Sequence, residues 1–169
     1  MKSQCSPIEN KNYIWLSWKE IEMERTYKVD HIGFVSRDVE KTAEMLSNYL
    51  DIKDWRISTI EPPILCDIVF HGKKVSHSFK IAVAQLGAIA IEFLMPIEGD
   101  SVYSEFLKEG KQGFHHICLV FSSEAELKEE RKKLIKRGGK LIQSGRIKGR
   151  SLYYYIEKEG IVLELLFRE

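Results

Sequence analysis

Residues 113–121 read GFHHICLVF, two adjacent histidines at the head of an apolar, β-branched run. Such a run reads as a strand. Neighbouring side chains of a strand point to opposite faces, so His115 and His116 are expected on different sides of a sheet. The stretch has a counterpart upstream. Aligning DHIGFV (30–35) with HHICLV (115–120) sets His31 against His116, each followed by Ile, a small residue, a bulky apolar residue and Val. His115 then falls opposite Asp30 and has no equivalent of its own kind. Self-similarity of this sort is the first thing a fold assignment must explain.

Working outward, YKVDHIGFVS (27–36) is strand-like. In the following segment Val39, Ala43, Leu46 and Leu50 recur at i, i+4, i+7 and i+11, one apolar face of a helix entered through Ser36 as N-cap. Strands are expected near 54–60, 79–86 and 88–95, with 61–78, which holds a Pro pair and scattered polar residues, as a loop or irregular hairpin. The second half replays this order. A strand at 114–122 precedes a helix stopped by Gly138–Gly139, and KLIQSGRIK, SLYYYIEK and GIVLELLF supply three more strands. The link 96–112 carries a short helical candidate at 101–110. The fold class is therefore α+β, two tandem βαβββ modules at about 27–97 and 112–168. Together they make a single domain, 27–168, behind an N-terminal extension, 1–26.

At 169 residues one domain is the economical reading, and 44% hydrophobic with 30% charged residues is an ordinary globular profile. Lys plus Arg (26) nearly cancels Asp plus Glu (25), which argues against nucleic acid or a membrane surface as partner. Cys5, Cys66 and Cys118 are odd in number and form no CxxC pair, which fits a cytoplasmic protein without a disulfide framework. Residues 1–26 have neither the pattern of a signal peptide nor that of a membrane span. They are expected to dock through Ile14, Trp15, Leu16 and Trp18.

The repeat also pairs carboxylates. AIEFL (90–94) and VLELL (162–166) each hold a lone glutamate in an apolar run, Glu92 and Glu164. Taken singly, each could face solvent on a half-buried sheet, as a lone strand histidine commonly does. Two histidines and two carboxylates at matching repeat positions instead suggest a four-ligand site for a divalent metal, His31, Glu92, His116 and Glu164. Neutral imidazole and carboxylate oxygen suit zinc, nickel, cobalt or manganese. A metal also removes the cost of burying the carboxylates.

With these residues in place, the chain resembles the vicinal-oxygen-chelate (glyoxalase/bleomycin resistance/dioxygenase) superfamily over about residues 27–168. Three stretches most resemble methylmalonyl-CoA epimerases: DHIGFVSRDVEKT, IEFLMPIEGDSVYSEFLKEGKQGFHHIC and GIVLELL. The resemblance implies a cupped, mostly antiparallel sheet around the metal, with the His–Glu quartet as ligands. It implies a metal-dependent epimerase or racemase of a short-chain 2-substituted acyl-CoA, working through a metal-stabilised enolate, with Glu164 as base and Glu92 as ligand and second base. A glyoxalase I-type lactoylglutathione lyase uses the same quartet and is the alternative. An acyl-CoA or other thioester substrate is implied, and family members often form homodimers. A drug-sequestering binding protein on the same modules typically lacks the quartet, and an extradiol dioxygenase calls for two histidines and one carboxylate.

Two features depart from the epimerase pattern. The segment 61–78 is longer, and Lys80 falls where some epimerases carry a glutamate. Among other polar candidates, RIKGR (146–150) reads either as a phosphate-facing loop or as a solvated turn, and His71 and His77 read as surface histidines. In SLYYYIEK, alternation puts Tyr153 and Tyr155 on one face and Tyr154 on the other.

Overall fold

The computed structural model describes residues 27–169; the expected docking of Ile14, Trp15, Leu16 and Trp18 lies outside the described residues. The chain runs β1 (Lys28–Val35), α1 (Val39–Leu50), β2 (Arg56–Ile60), β3 (Leu65–Phe70), β4 (Lys73–Lys74), β5 (His77–Leu86), β6 (Ile89–Gly99), α2 (Val102–Lys108), β7 (Gly113–Phe121), α3 (Glu124–Lys136), β8 (Lys140–Ile147), β9 (Ser151–Lys158) and β10 (Ile161–Arg168). All ten strands join one curled sheet in the order β2-β5-β6-β1-β7-β10-β9-β8-β3-β4. β1 and β7, the two histidine strands, pair antiparallel at its centre. Each is flanked on its other side by the last strand of its own module, β6 or β10, running parallel to it. The remaining neighbours are antiparallel.

Alternating strand side chains divide the core between the two faces of the sheet. On the outer face, Val39 and Ala43 of α1 pack on Ala82, Ala84, Ile91 and Phe93, and Leu127 of α3 packs on Leu119, Leu152, Tyr154, Ile156 and Leu165. The inner face gathers Val35, Leu65, Ile68, Phe79, Leu94, Tyr103, Cys118, Tyr153, Tyr155 and Leu166. The link helix α2 contributes Val102 and Tyr103 to this inner cluster. It starts at Ser101, whose hydroxyl and that of Ser104 cap each other's backbone N–H in a capping box. No helix among the described residues is long and apolar enough to cross a membrane.

Two local expectations change, and a third is narrowed to one of its alternatives. The N-cap of α1 is Asp38, whose carboxylate accepts from the Lys41 N–H. Ser36 instead donates its hydroxyl to the Asp38 carbonyl, tying the strand exit to the helix start. Of the two readings of 61–78 the hairpin holds: the segment forms β3–β4, which leaves the β2 edge of module one and pairs with β8 at the far edge of module two. Leu65 and Ile68 of this hairpin enter the inner core, so the insertion is held by burial as well as by its ladder. His77, finally, is not a surface residue. It lies inside β5, is only 2% exposed, and neither ring nitrogen has a partner among the described residues.

Candidate metal centre

His31 stands on β1 opposite Cys118, and His116 on β7 opposite Gly33, so the central strand pair delivers both imidazoles to the inner face. The smallness of these facing residues has a purpose. A Cβ on Gly33 would lie 1.9 Å from Cε1 of His116, inside the volume the ring occupies. Glu92 on β6 and Glu164 on β10 come from the two strands parallel to the histidine strands.

The four expected residues do converge, though not equally. Nε2 of His31 is 3.2 Å from Nε2 of His116 and 3.0 Å from Oε2 of Glu164, which is itself 3.2 Å from His116 Nε2. These three residues form a buried group able to hold an ion. Glu92 stands aside: its Oε1 is 3.6 Å from His31 Nε2, and it is not part of the tight trio. Oε2 of Glu164 is buried and makes no well-aligned hydrogen bond despite these short approaches. The three atoms therefore crowd one point, with the two imidazole nitrogens within hydrogen-bonding distance of each other and the carboxylate oxygen left without a partner. Their separations match the edge of an octahedron with metal–ligand bonds of about 2.1 Å, for which adjacent ligands lie about 3 Å apart. The donor set and its geometry fit a divalent cation.

Electrostatics point the same way. Burial alone would pull the His31 imidazole down, but the charge of Glu92 and the partners Asp30, Cys118 and Glu164 hold its proton affinity well above the ordinary range. Burial raises Glu92, with His31 only partly opposing it. Burial would raise Glu164 too, but the two imidazoles overcome it and hold the carboxyl below the usual carboxylate range. A dry pocket that pulls cationic charge this strongly is suited to an ion.

Each imidazole is oriented through its other nitrogen by the residue just before it in sequence. Nδ1 of His31 is 2.9 Å from Asp30, and Asp30 also accepts from Arg168 at 2.5 Å. Nδ1 of His116 is 2.9 Å from Nδ1 of His115. Such outer partners fix the tautomer and ring orientation of metal-ligating histidines. With Nε2 of His116 turned to the site, its Nδ1–H donates to His115. Burial, and then the neighbouring His116, push His115 down to about 3, in keeping with a neutral acceptor.

This arrangement corrects the expectation that His115 takes the opposite face. The β1–β7 register slips once between Val29 and His31 and once between Gly33 and Phe34. The extra residues at those slips are Asp30 and His115. A bulge breaks strict alternation and re-aims a side chain, so both residues turn toward the histidine that follows them. Phe114, which strict alternation would put on the face of His116, packs instead against Phe34, which belongs to the outer cluster.

The site forms one wall of a cleft of about 610 Å³, lined by His31, Glu92 and Glu164 and by Tyr103, Tyr153 and Tyr155. Lys28, Arg56 and Arg150 also line it, and none has an acidic partner among the described residues. Of the RIKGR basic residues, Arg146 is engaged with Glu124 and Glu169, whereas Arg150 faces the cleft. Lys80 lies outside the site, paired with Glu40 of α1 across the outer face. Tyr153 and Tyr155 sit on the inner face, and Tyr154 on the outer face under Arg131. His71 is an exposed turn residue paired with Glu105.

A family model described as the Glyoxalase/Bleomycin resistance protein/Dioxygenase superfamily matches residues 30–155. Three solved structures share the fold. One is a hypothetical protein from Bacillus halodurans C-125 (TM-score 0.62, 20% identity, covering 86% of this chain and 96% of that one). Another is methylmalonyl-CoA epimerase from Mycobacterium tuberculosis (TM-score 0.61, 18% identity, 88% and 94%). The third is a variant of Streptomyces coelicolor methylmalonyl-CoA epimerase in complex with 2-nitronate-propionyl-CoA (TM-score 0.60, 17% identity, 83% and 94%). At these identities the likeness is one of fold. No curated protein matches the chain in sequence.

Proposed function

The chain belongs to the Glyoxalase/Bleomycin resistance protein/Dioxygenase superfamily, and on that footing we propose that it is a metal-dependent epimerase of a short-chain 2-substituted acyl-CoA. The observation that carries this reading is the convergence of His31, His116 and Glu164, with Glu92 beside them, at a cleft whose other charged lining residues are mostly cations. Lys28, Arg56 and Arg150 suit an anionic, phosphate-bearing substrate tail, and two of the fold's neighbours are epimerases of that substrate class.

A divalent cation held by His31, His116 and Glu164 would supply Lewis-acid polarisation of the substrate carbonyl. The protein must then move a proton. Epimerisation removes the proton α to the thioester carbonyl on one face, sends the C–H electron pair to the carbonyl oxygen, and returns a proton to the carbon on the other face. Glu92 and Glu164 come from strands related by the internal repeat and so flank a substrate at the centre. Glu92 is free of the trio and takes or returns a proton on its side without disturbing it. Glu164 serves as base on the other side only by loosening its approach to the imidazoles, so its two roles compete. Asp30 and His115 orient the imidazoles, and the inner-face aromatics exclude water.

The test is proton exchange and epimerisation of methylmalonyl-CoA by the metal-loaded protein, run beside a lactoylglutathione assay. Glu92→Gln is expected to keep its metal and lose exchange, and Glu164→Gln to lose both. Efficient lactoylglutathione formation without epimerisation would replace this reading with the lyase one. Epimerisation left intact in Glu164→Gln would remove Glu164 as base.

A further inference from the structure

Besides the ligand candidates and Asp30, the cleft lining holds no carboxylate or imidazole. It does hold three phenols, Tyr103, Tyr153 and Tyr155, and two of them are paired beside the histidine strand. Tyr103, from the link helix, and Tyr155, from β9, are 2% and 1% exposed, and their hydroxyl oxygens are 2.9 Å apart. The Tyr155 ring packs edge-on against His116, with centroids 5.1 Å apart. Two hydroxyls that share one hydrogen bond use one of their two O–H protons in it. The other remains available to an acceptor in the cleft. We propose that the Tyr103–Tyr155 pair is a neutral hydrogen-bond donor to the substrate's carbonyl oxygen as negative charge builds on it, which makes these phenols further catalytic residues. This rests on the metal-centre reading above and adds to it a second stabiliser of the same oxygen.

The chemistry suits the residues. A donor aimed at an oxyanion works best when it is fixed and dry, and these phenols are clamped between α2, β9 and the histidine strand. Both are buried beside Glu164 and Glu92, and burial first of all holds them in the protonated, donating form. The pair also ties the link helix to the second module, so the donor forms only when α2 is seated. No proton need leave either phenol, because the donor polarises the oxygen and the carboxylates carry the proton.

The test separates the phenols from the metal. Tyr103→Phe and Tyr155→Phe keep the rings and remove only an oxygen. Both are expected to bind Co(II) as the wild type does. Acetohydroxamate, an oxyanion probe followed through the Co(II) visible absorption, should bind the loaded variants about 10- to 100-fold more weakly, the range for a hydrogen bond to a charged acceptor. The double variant should be no weaker than the worse single one, because the pair acts as a unit. Turnover should fall by about 10²- to 10³-fold, as on removing one oxyanion donor. Tyr154→Phe, on the outer face, should change none of these. Single variants that bind the hydroxamate within about threefold of wild type would overturn the proposal. The probe needs no thioester turnover. A wild-type protein inert toward methylmalonyl-CoA would therefore sink the epimerase reading while leaving the phenol effect visible.

Discussion

Gly33→Ala is the smallest change expected to disable the proposed metal centre. Gly33 faces His116 across the central strand pair, and its added Cβ would lie 1.9 Å from Cε1 and 2.3 Å from Nε2 of that ring. Its backbone is not in the left-handed region, and the nearest atoms a side chain would meet all belong to the imidazole. Real Cβ contacts do not fall below 3.0 Å, so the ring must retreat by more than an ångström or the two strands must part. Metal sites tolerate ligand displacements of only about 0.2 Å. Changes in outer-shell partners cost about 10- to 100-fold in affinity. Displacing a ligand itself should cost more than about 100-fold, with Co(II) affinity read by visible absorption and His116→Ala as the reference. Overpacking costs about 1–3 kcal/mol, against a typical total stability of about 5–15 kcal/mol, so the variant should still unfold cooperatively in urea. If Gly33→Ala bound Co(II) within about threefold of wild type while His116→Ala did not, the ring would not depend on the space above Gly33. The close approach of His116 to Gly33 would then not shape the site.

Other perturbations separate the supporting residues. Asp30→Asn and His115→Leu should each weaken Co(II) binding by about 10- to 100-fold through the Nδ1 side of His31 and His116; wild-type affinity in either would show that its contact does not hold the ligand. Burial pushes His77 down to about 4 from an ordinary 6.5, so the unfolded chain takes up a proton at higher pH than the folded one does. Stability should fall as pH drops through that window, by about 3 kcal/mol in full. His77→Leu should remove that component, and urea midpoints of wild type and variant falling in parallel between these pH values would refute it. Lys80→Ala, which breaks an outer-face pair with Glu40, should cost less than about 1 kcal/mol and leave metal binding and turnover unchanged. Lost turnover would place Lys80 in the site after all.

The extent to which this molecule can be read from its sequence follows from where its regularity holds and where it breaks. Alignment of DHIGFV with HHICLV identifies the two histidines the fold brings together, because residues at matching repeat positions occupy matching places around the central strand pair. The same alignment marks the small residue two places after each histidine. Gly33 and Cys118 prove to be what His116 and His31 sit across from. The β3–β4 hairpin is less legible, because its pairing with β8 at the far edge is non-local and leaves no periodic trace between residues 61 and 78. The burial of His77 is equally silent, since nothing in its neighbours' polarity predicts that β5 begins there.

The most instructive difference concerns the residues before the histidines. Strict alternation sends Asp30 and His115 to the outer face, whereas the register slips at both and turns them inward. Two bulges at matching places are hard to attribute to local propensity, for Asp and His share little of it. They do share one task, to accept the Nδ1 hydrogen of the next residue. A carboxylate does so with a charge that Arg168 partly balances, and a neutral imidazole does so without one. As ligands of the proposed metal site the two imidazoles should therefore differ in donor strength, with His31 the more basic. On that ground, an exchange of Asp30 for His would be expected to weaken the metal site more than an exchange of His115 for Gln. The first removes the charge that reinforces His31, and the second substitutes one neutral acceptor for another. Co(II) affinities of the two variants in the reverse order would show that charge is not what distinguishes these bulges.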